Sequence, residues 1–127
     1  MSTRSTLKFY SEFNQENVIA TIYQHYDGYI GGVGHELAEW LKKKKIINGI
    51  CNETMQDGFA NGMGCLAAQF IAEHKVSIGG FSLTHETNKQ EYNYSVRYIN
   101  KQFIIEVDNI FKGTPDELLN FVEDNED

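Results

Sequence analysis

The sequence predicts a single α+β domain in which an antiparallel sheet of about five strands carries two or three helices packed on one face. Residues 92–98 alternate apolar and polar side chains, a period of two that is typical of a strand with one buried face. Residues 63–74 repeat apolar side chains at helical spacing. The patterns run as a strand pair, two helices, further strands and a last helix, an order that favours helices on one side of an antiparallel sheet.

Size and composition suit one domain spanning residues 1–127. Hydrophobic residues make up 41% of the chain and aromatic residues 13%, so folding can bury enough apolar surface to offset the entropy lost on ordering the backbone. The acidic end at residues 123–127 is expected to fray.

The charge balance limits the classes of partner that the chain is expected to bind, and the cysteines indicate its cellular compartment. The net charge is -7, from 18 acidic and 11 basic residues, and four of the basic residues are consecutive at positions 42–45. This balance argues against long nucleic acid as a partner, because such binding needs many cations on one face. Two cysteines, with neither a signal peptide nor a long apolar run, favour the reducing cytoplasm and no membrane partner.

The first half of the chain predicts a hairpin, a loop and a helix. Residues 6–13 and 18–24 flank a polar break and are typical of a β-hairpin. Glycines 28, 31, 32 and 34 predict a loop. A helix is expected from Val33 to Asn48-Gly49, with the four lysines in its last turn, where they complement the helix dipole.

The second half predicts an irregular segment, a helix, three strands and a final helix. Residues 50–62 have no clear period, so we expect a loop that forms the wall of a site. The helix over 63–74 follows, and then a strand over 76–83 that is interrupted by two glycines. The strand over 92–98 is expected to pair with 103–107 through a two-residue turn.

The last helix has an N-terminal capping signature. Thr114 is the expected N-cap, Pro115 is the first helical residue, and Glu117 stands three residues after the cap.

His25 and Asp27 are the residues closest to a catalytic pattern. On an extended strand end both side chains point to the same side, where an imidazole oriented by a carboxylate could act as a base or a metal ligand. The pair lacks a nucleophile and a third ligand at a recognisable spacing. We therefore expect no catalytic residue, metal site or cofactor, and we favour a hydrogen bond that stabilises the local turn.

Two glycine-rich turns and an N-terminal arginine could bind an anion. The segments 31–34 and 61–64 each precede a helix, whose exposed amides attract phosphate, although neither matches a dinucleotide fingerprint or a P-loop. A tight turn into the helix is the alternative for both. Arg4 stands among hydroxyl side chains that suit a phosphate or carboxylate, with exposed N-terminal polarity as the alternative.

Four segments resemble a widespread and largely uncharacterised family of short phage and prophage proteins. They are MSTRST at 1–6, HYDGY at 25–29 with its glycine-rich continuation, NGMGCLA at 61–67 and GTPDE at 113–117. The similarity spans nearly the whole chain, but many relatives carry Trp where this chain has Tyr26 and Pro where it has Ile30. The resemblance implies an accessory protein that counters host defence inside the host cell.

The residues and the resemblance together favour a non-enzymatic protein that binds and sequesters a small phosphorylated or nucleotide signal. The expected ligand-binding residues are Thr3, Arg4, Ser5, His25, Tyr26, Asp27, Tyr29, Asn61 and Met63. An inhibitor that binds a host defence protein acting on nucleic acid is the first alternative, and a small nucleotide hydrolase centred on His25 and Asp27 is the second. Pairing into a homodimer through an exposed sheet edge is left open.

Overall fold

The computed structural model describes residues 3–47, 58–75, 80–85 and 89–125. The elements within these ranges are β1 (Ser5–Tyr10), β2 (Val18–Gln24), a π-helical turn (Ile30–Gly34), α1 (His35–Leu41), β3 (Lys45–Ile47), β4 (Phe59–Asn61), α2 (Gly62–His74), β5 (Phe81–Leu83), β6 (Tyr92–Ile99), β7 (Gln102–Val107), β8 (Phe111–Gly113) and α3 (Pro115–Asp124).

Six of the strands form one sheet in the order β5-β2-β1-β6-β7-β8. The β1–β2 and β6–β7 hairpins confirm two sequence predictions, and the second closes through Asn100 and Lys101, which both have positive φ angles, at 52° and 64°. β1 pairs with β6 in parallel, so the sheet is mixed although most of its pairs are antiparallel. The predicted α+β class is therefore confirmed.

The strand count is higher than predicted because short strands leave little pattern in a sequence. β3, β4, β5 and β8 have three residues each, too few to show an alternation of apolar and polar side chains. β3 and β4 form a separate parallel pair, which places a strand where the sequence predicted only a loop. The rest of that predicted loop, at 50–57, and the start of the predicted strand at 76–79 lie outside the described residues.

All three helices contribute to one hydrophobic core on one side of the sheet. The strands present alternate residues to it, such as Leu7 and Phe9 of β1, which are both fully buried. The remaining buried apolar side chains are Ile22, Val33, Leu37, Ala38, Leu41, Ala60, Met63, Leu66, Ala67, Phe70, Tyr94, Val96, Phe103, Ile105, Val107 and Leu118. The opposite face of the sheet carries the polar residues of the same strands and is called the open face below.

The predicted first helix is shorter than its sequence pattern indicated, and its lysines do not sit in a last helical turn. α1 ends at Leu41, because the amide of Lys45 donates to the Gly58 carbonyl at 2.8 Å and starts β3. Lys44 instead forms an ion pair with Glu73, with Nζ and Oε2 3.3 Å apart, and lies 4.6 Å from the centre of the Trp40 ring. The predicted end at 48–49 lies outside the described residues.

The other two helices follow the sequence closely. α2 covers the predicted segment. α3 begins with a capping box in which the Glu117 amide donates to Thr114 Oγ1 at 3.3 Å and the Thr114 amide donates to Glu117 Oε1 at 2.8 Å. α3 extends through Glu123 and Asp124, where fraying was expected. Residues 126–127 lie outside the residues that the structure describes. Within the described ranges, no helix has both the length and the apolar character needed to cross a bilayer.

Candidate functional site

The structure brings the N-terminal residues against the turn that follows β2. The amide of Gly28 donates to the Thr3 carbonyl at 2.9 Å. Only glycine fits at position 28, because a Cβ there would lie 2.8 Å from both the Thr3 carbonyl oxygen and Ser5 Cβ. We call this region the turn site. It comprises Thr3, Arg4, His25, Tyr26, Asp27 and Tyr29.

The backbone of the turn is fixed from several sides. Asp27 has φ 56°, a left-handed conformation that Asp adopts more readily than most residues other than glycine. Its carbonyl accepts a hydrogen bond from the Val33 amide at 2.9 Å, and Gly32 packs so closely on that carbonyl that any Cβ would collide with it. The turn is therefore held in one conformation by the π-helical turn that follows it.

Tyr94 of β6 holds the turn from the core side. Its hydroxyl donates to the Gly28 carbonyl at 2.6 Å, and its side chain is 1% exposed. Burial raises the pKa of Tyr94 well above its ordinary value, so the hydroxyl remains a protonated donor. The sequence suggested Tyr94 only as part of an alternating strand, since nothing in it pairs this hydroxyl with a carbonyl 66 residues away.

His25 does not pair with Asp27, contrary to the sequence-based expectation. β2 ends at Gln24 and the chain turns through the left-handed Asp27, so the two side chains no longer share one face of a strand. The His25 Nδ1 atom is hydrogen-bonded to the Tyr23 hydroxyl at 2.7 Å, and its ring meets the edge of Tyr26 at a centroid distance of 4.8 Å. The dyad on which the hydrolase alternative depended is not formed.

Several side chains of the turn site are exposed to solvent. Tyr26 is 62% exposed and Tyr29 is 45% exposed, although the backbone that carries them is fixed. Arg4 is exposed and has no ion-pair partner within the described part of the chain. The Tyr92 amide donates to the Arg4 carbonyl at 3.3 Å, which extends the β1–β6 pairing and anchors Arg4 at the start of β1, in the middle of the sheet and beside the turn.

Asn61 and Met63 do not join the turn site, which corrects the predicted convergence of the two glycine-rich turns. The Met63 amide donates to Glu12 Oε2 at 3.2 Å, and Glu12 follows the opposite end of β1 from Arg4. A strand of six residues spans about 20 Å. The carboxylate of Glu12 also occupies the amide-rich start of α2 that was expected to attract an external anion.

Ser5 and Met63 have the burial of core residues rather than of ligand-binding residues. Both are 0% exposed, and Met63 packs within the hydrophobic core. The glycine-rich segment 31–34 also differs from the expectation, because the amides of Gly32 and Val33 donate to carbonyls within the turn itself. These amides are therefore not available to an anion.

Comparisons with protein-family models, curated proteins and solved structures returned no match. Among the residues that the structure describes, no group of three or more His, Cys, Asp or Glu side chains is placed to hold a metal ion. The geometry of the turn site is therefore the basis on which we infer a function.

Proposed function

We propose that this protein is a non-enzymatic binding protein that holds a small phosphorylated or nucleotide ligand at the turn site. One observation carries the proposal: an exposed guanidinium without an ion-pair partner in the described ranges is anchored beside a rigid turn that displays two tyrosine rings. The guanidinium suits the phosphate of a nucleotide, and the tyrosine rings suit its base.

Arg4 is the proposed phosphate-binding residue. A guanidinium presents donors in a planar fork that matches two phosphate oxygens, and such charge-assisted hydrogen bonds are stronger than neutral ones. Since Arg4 is not paired with a carboxylate in the described ranges, binding would not require an existing ion pair to break. The hydrogen bond of 2.9 Å from the Gly28 amide to the Thr3 carbonyl fixes the backbone next to Arg4.

Tyr26 and Tyr29 are the proposed base-binding residues. Stacking of a base on an aromatic side chain contributes about 1–3 kcal/mol and tolerates different bases. The His25 ring packs against Tyr26 and keeps that tyrosine in place, while its Nε2 atom has no hydrogen bond to any described residue. The imidazole can therefore contribute one further hydrogen bond to the ligand.

The resemblance to short phage proteins supplies the biological role that we propose. A small binding protein made in large amounts can lower the free concentration of a nucleotide signal without any catalysis. We propose that it sequesters such a signal and so counters host defence.

A thermal-shift screen with linear and cyclic nucleotides, followed by calorimetry on each hit, tests this function. A ligand that binds the native state raises the melting temperature by mass action. We expect Arg4→Ala to weaken binding of a hit by about 1.5–3 kcal/mol, since one charge-assisted interaction is lost. Lys43→Ala, which removes an exposed charge that follows the end of α1, is the matched control. Equal affinity of wild type and Arg4→Ala would exclude Arg4 from the site.

The second candidate function is inhibition of a defence protein that acts on nucleic acid. The same observation of exposed tyrosines on a fixed backbone favours it, because tyrosine is enriched at the centres of protein interfaces. The net charge of -7 suits a basic partner surface. Binding to a purified partner that falls steeply with salt, together with no nucleotide hit in the screen, would favour this candidate.

A further inference from the structure

We infer that the open face of the sheet holds a second binding site, a hollow that takes a small phosphate-bearing anion. The hollow is open to solvent and has a volume of about 320 Å³, within the range of roughly 300–1,000 Å³ that is common for small-molecule sites. None of the residues that line it belongs to the turn site, and the inference does not depend on the function proposed above. Its lining includes Lys8, Tyr10, Lys89, Ser95, Arg97 and Glu106.

Lys8 is the central cation of the hollow. It lies in the middle strands of the sheet, with Thr21 beside it on β2 and Ser95 beside it on β6. Its side chain is partly buried, and it has no hydrogen-bond or ion-pair partner within the described part of the chain. An ammonium without an internal partner is available to form a charge-assisted interaction with an anion from solution.

The carboxylates of the hollow are already engaged by other side chains. Asp108 accepts two hydrogen bonds from Asn93, one from the main-chain N–H at 3.2 Å and one from the side-chain Nδ2 at 3.0 Å. Glu106 pairs with Arg97, with Oε1 and Nη1 3.4 Å apart. Neither acid pairs with Lys8, so this ammonium is left available to an external anion.

The walls of the hollow are held in place before any ligand enters. Thr6 Oγ1 donates to Asn93 Oδ1 at 2.9 Å, which links β1 to β6 across the floor. The Arg97 guanidinium lies 3.9 Å from the centre of the Tyr10 ring, and its Nε donates to the Gln15 carbonyl at 3.0 Å. The ordering cost on binding therefore falls mainly on the two lysine side chains and not on the walls of the hollow.

The unpaired hydrogen-bond donors of the hollow suit a small ligand that carries two negative charges. Besides Lys8, the exposed ammonium of Lys89 lines the hollow, and the hydroxyls of Tyr10 and Ser95 can each donate a proton. Ser95 Oγ accepts from Arg97 Nη1 at 3.3 Å, which orients the hydroxyl but leaves its hydrogen free. Two ammonium groups and two hydroxyls around one hollow supply the charge and the donors that a phosphate group needs.

An NMR titration with inorganic pyrophosphate as the probe tests this site. We expect amide shift changes that centre on Lys8 and Ser95, and Lys8→Gln is expected to weaken binding by roughly 10- to 100-fold, the loss of one charge-assisted interaction. Lys43→Gln removes the same charge from a position that follows the end of α1 and is expected to leave the affinity within about twofold, because solvent screens a distant charge. Glu106→Gln removes an opposing charge and is expected to tighten binding.

Three results would overturn the inference. The first is the absence of any shift at millimolar pyrophosphate. The second is an equal loss of affinity in Lys8→Gln and Lys43→Gln, which would indicate a general charge effect. The third is a set of shifts confined to Arg4 and the 25–29 turn, abolished by Arg4→Ala, which would assign the anion to the turn site alone.

Discussion

Removal of the Tyr94 hydroxyl is the most informative perturbation of the turn. In Tyr94→Phe the ring still fills the core, and the change removes the hydroxyl together with its hydrogen bond of 2.6 Å to the Gly28 carbonyl. Gly28 is buried and its carbonyl has no other donor in the described ranges, so the acceptor would be left unsatisfied. The cost of such a group is about 1–3 kcal/mol.

Denaturant unfolding and thermal melting measure this cost. At about 4 °C per kcal/mol for a domain of this size, Tyr94→Phe is expected to melt about 4–12 °C below wild type. Tyr92→Phe is the matched control, because the Tyr92 hydroxyl has no hydrogen bond to any described residue, and a change of less than about 0.5 kcal/mol is expected. Equal stability of Tyr94→Phe and wild type would refute the hydroxyl as a tether of the turn.

Alkaline pH supplies a second readout for the same residue. The folded-state pKa of Tyr94 is raised above the unfolded value of about 10. The contribution of Tyr94 to stability is therefore fully present below pH 10 and is lost as the pH rises above that value, because the unfolded chain then releases a proton that the folded protein keeps. Wild type should lose more stability than Tyr94→Phe between about pH 10 and 11. Parallel losses in the two proteins would contradict this assignment.

Two further predictions concern the helices. Thr114→Ala should lower stability by about 1 kcal/mol in denaturant unfolding, because it deletes the N-cap of α3, whereas Thr114→Ser keeps the hydroxyl and should be close to wild type. Unchanged stability in Thr114→Ala would refute the capping box. Gly64→Ala should raise stability by about 0.5–1 kcal/mol, because Gly64 lies in α2 with nothing within 4 Å of an added Cβ. Gly64→Ala should also bind ligand with the affinity of wild type. A loss of binding would indicate that residues 61–64 belong to the ligand-binding site.

The longer elements could be predicted from the sequence because their signals are local. The β6 alternation, the helical spacing of α2 and the Thr114-Pro115 start of α3 each depend on neighbours in the chain. The three-residue strands gave no such signal. Lys45 enters β3 because its amide meets the Gly58 carbonyl, a partner that no local pattern identifies.

The candidate site was predicted in part for the same reason. Proximity of Arg4 to the 25–29 turn follows from the β1–β2 hairpin, which pairs Ser5 with Gln24. The separation of Met63 from that turn depends on Glu12, 51 residues away in sequence, which fills the start of α2. The sequence could not show that this amide-rich end already has an internal carboxylate.

Mass spectrometry of small molecules retained by the purified protein tests the central claim most directly. Wild type and Arg4→Ala are purified in parallel, and the compounds released on heating are identified and quantified against the protein. We predict that wild type releases an intact phosphorylated compound that Arg4→Ala retains in much smaller amount. Release of the same compound in equal amounts from both proteins, or of a cleaved product in place of the intact compound, would contradict binding without catalysis at the turn site.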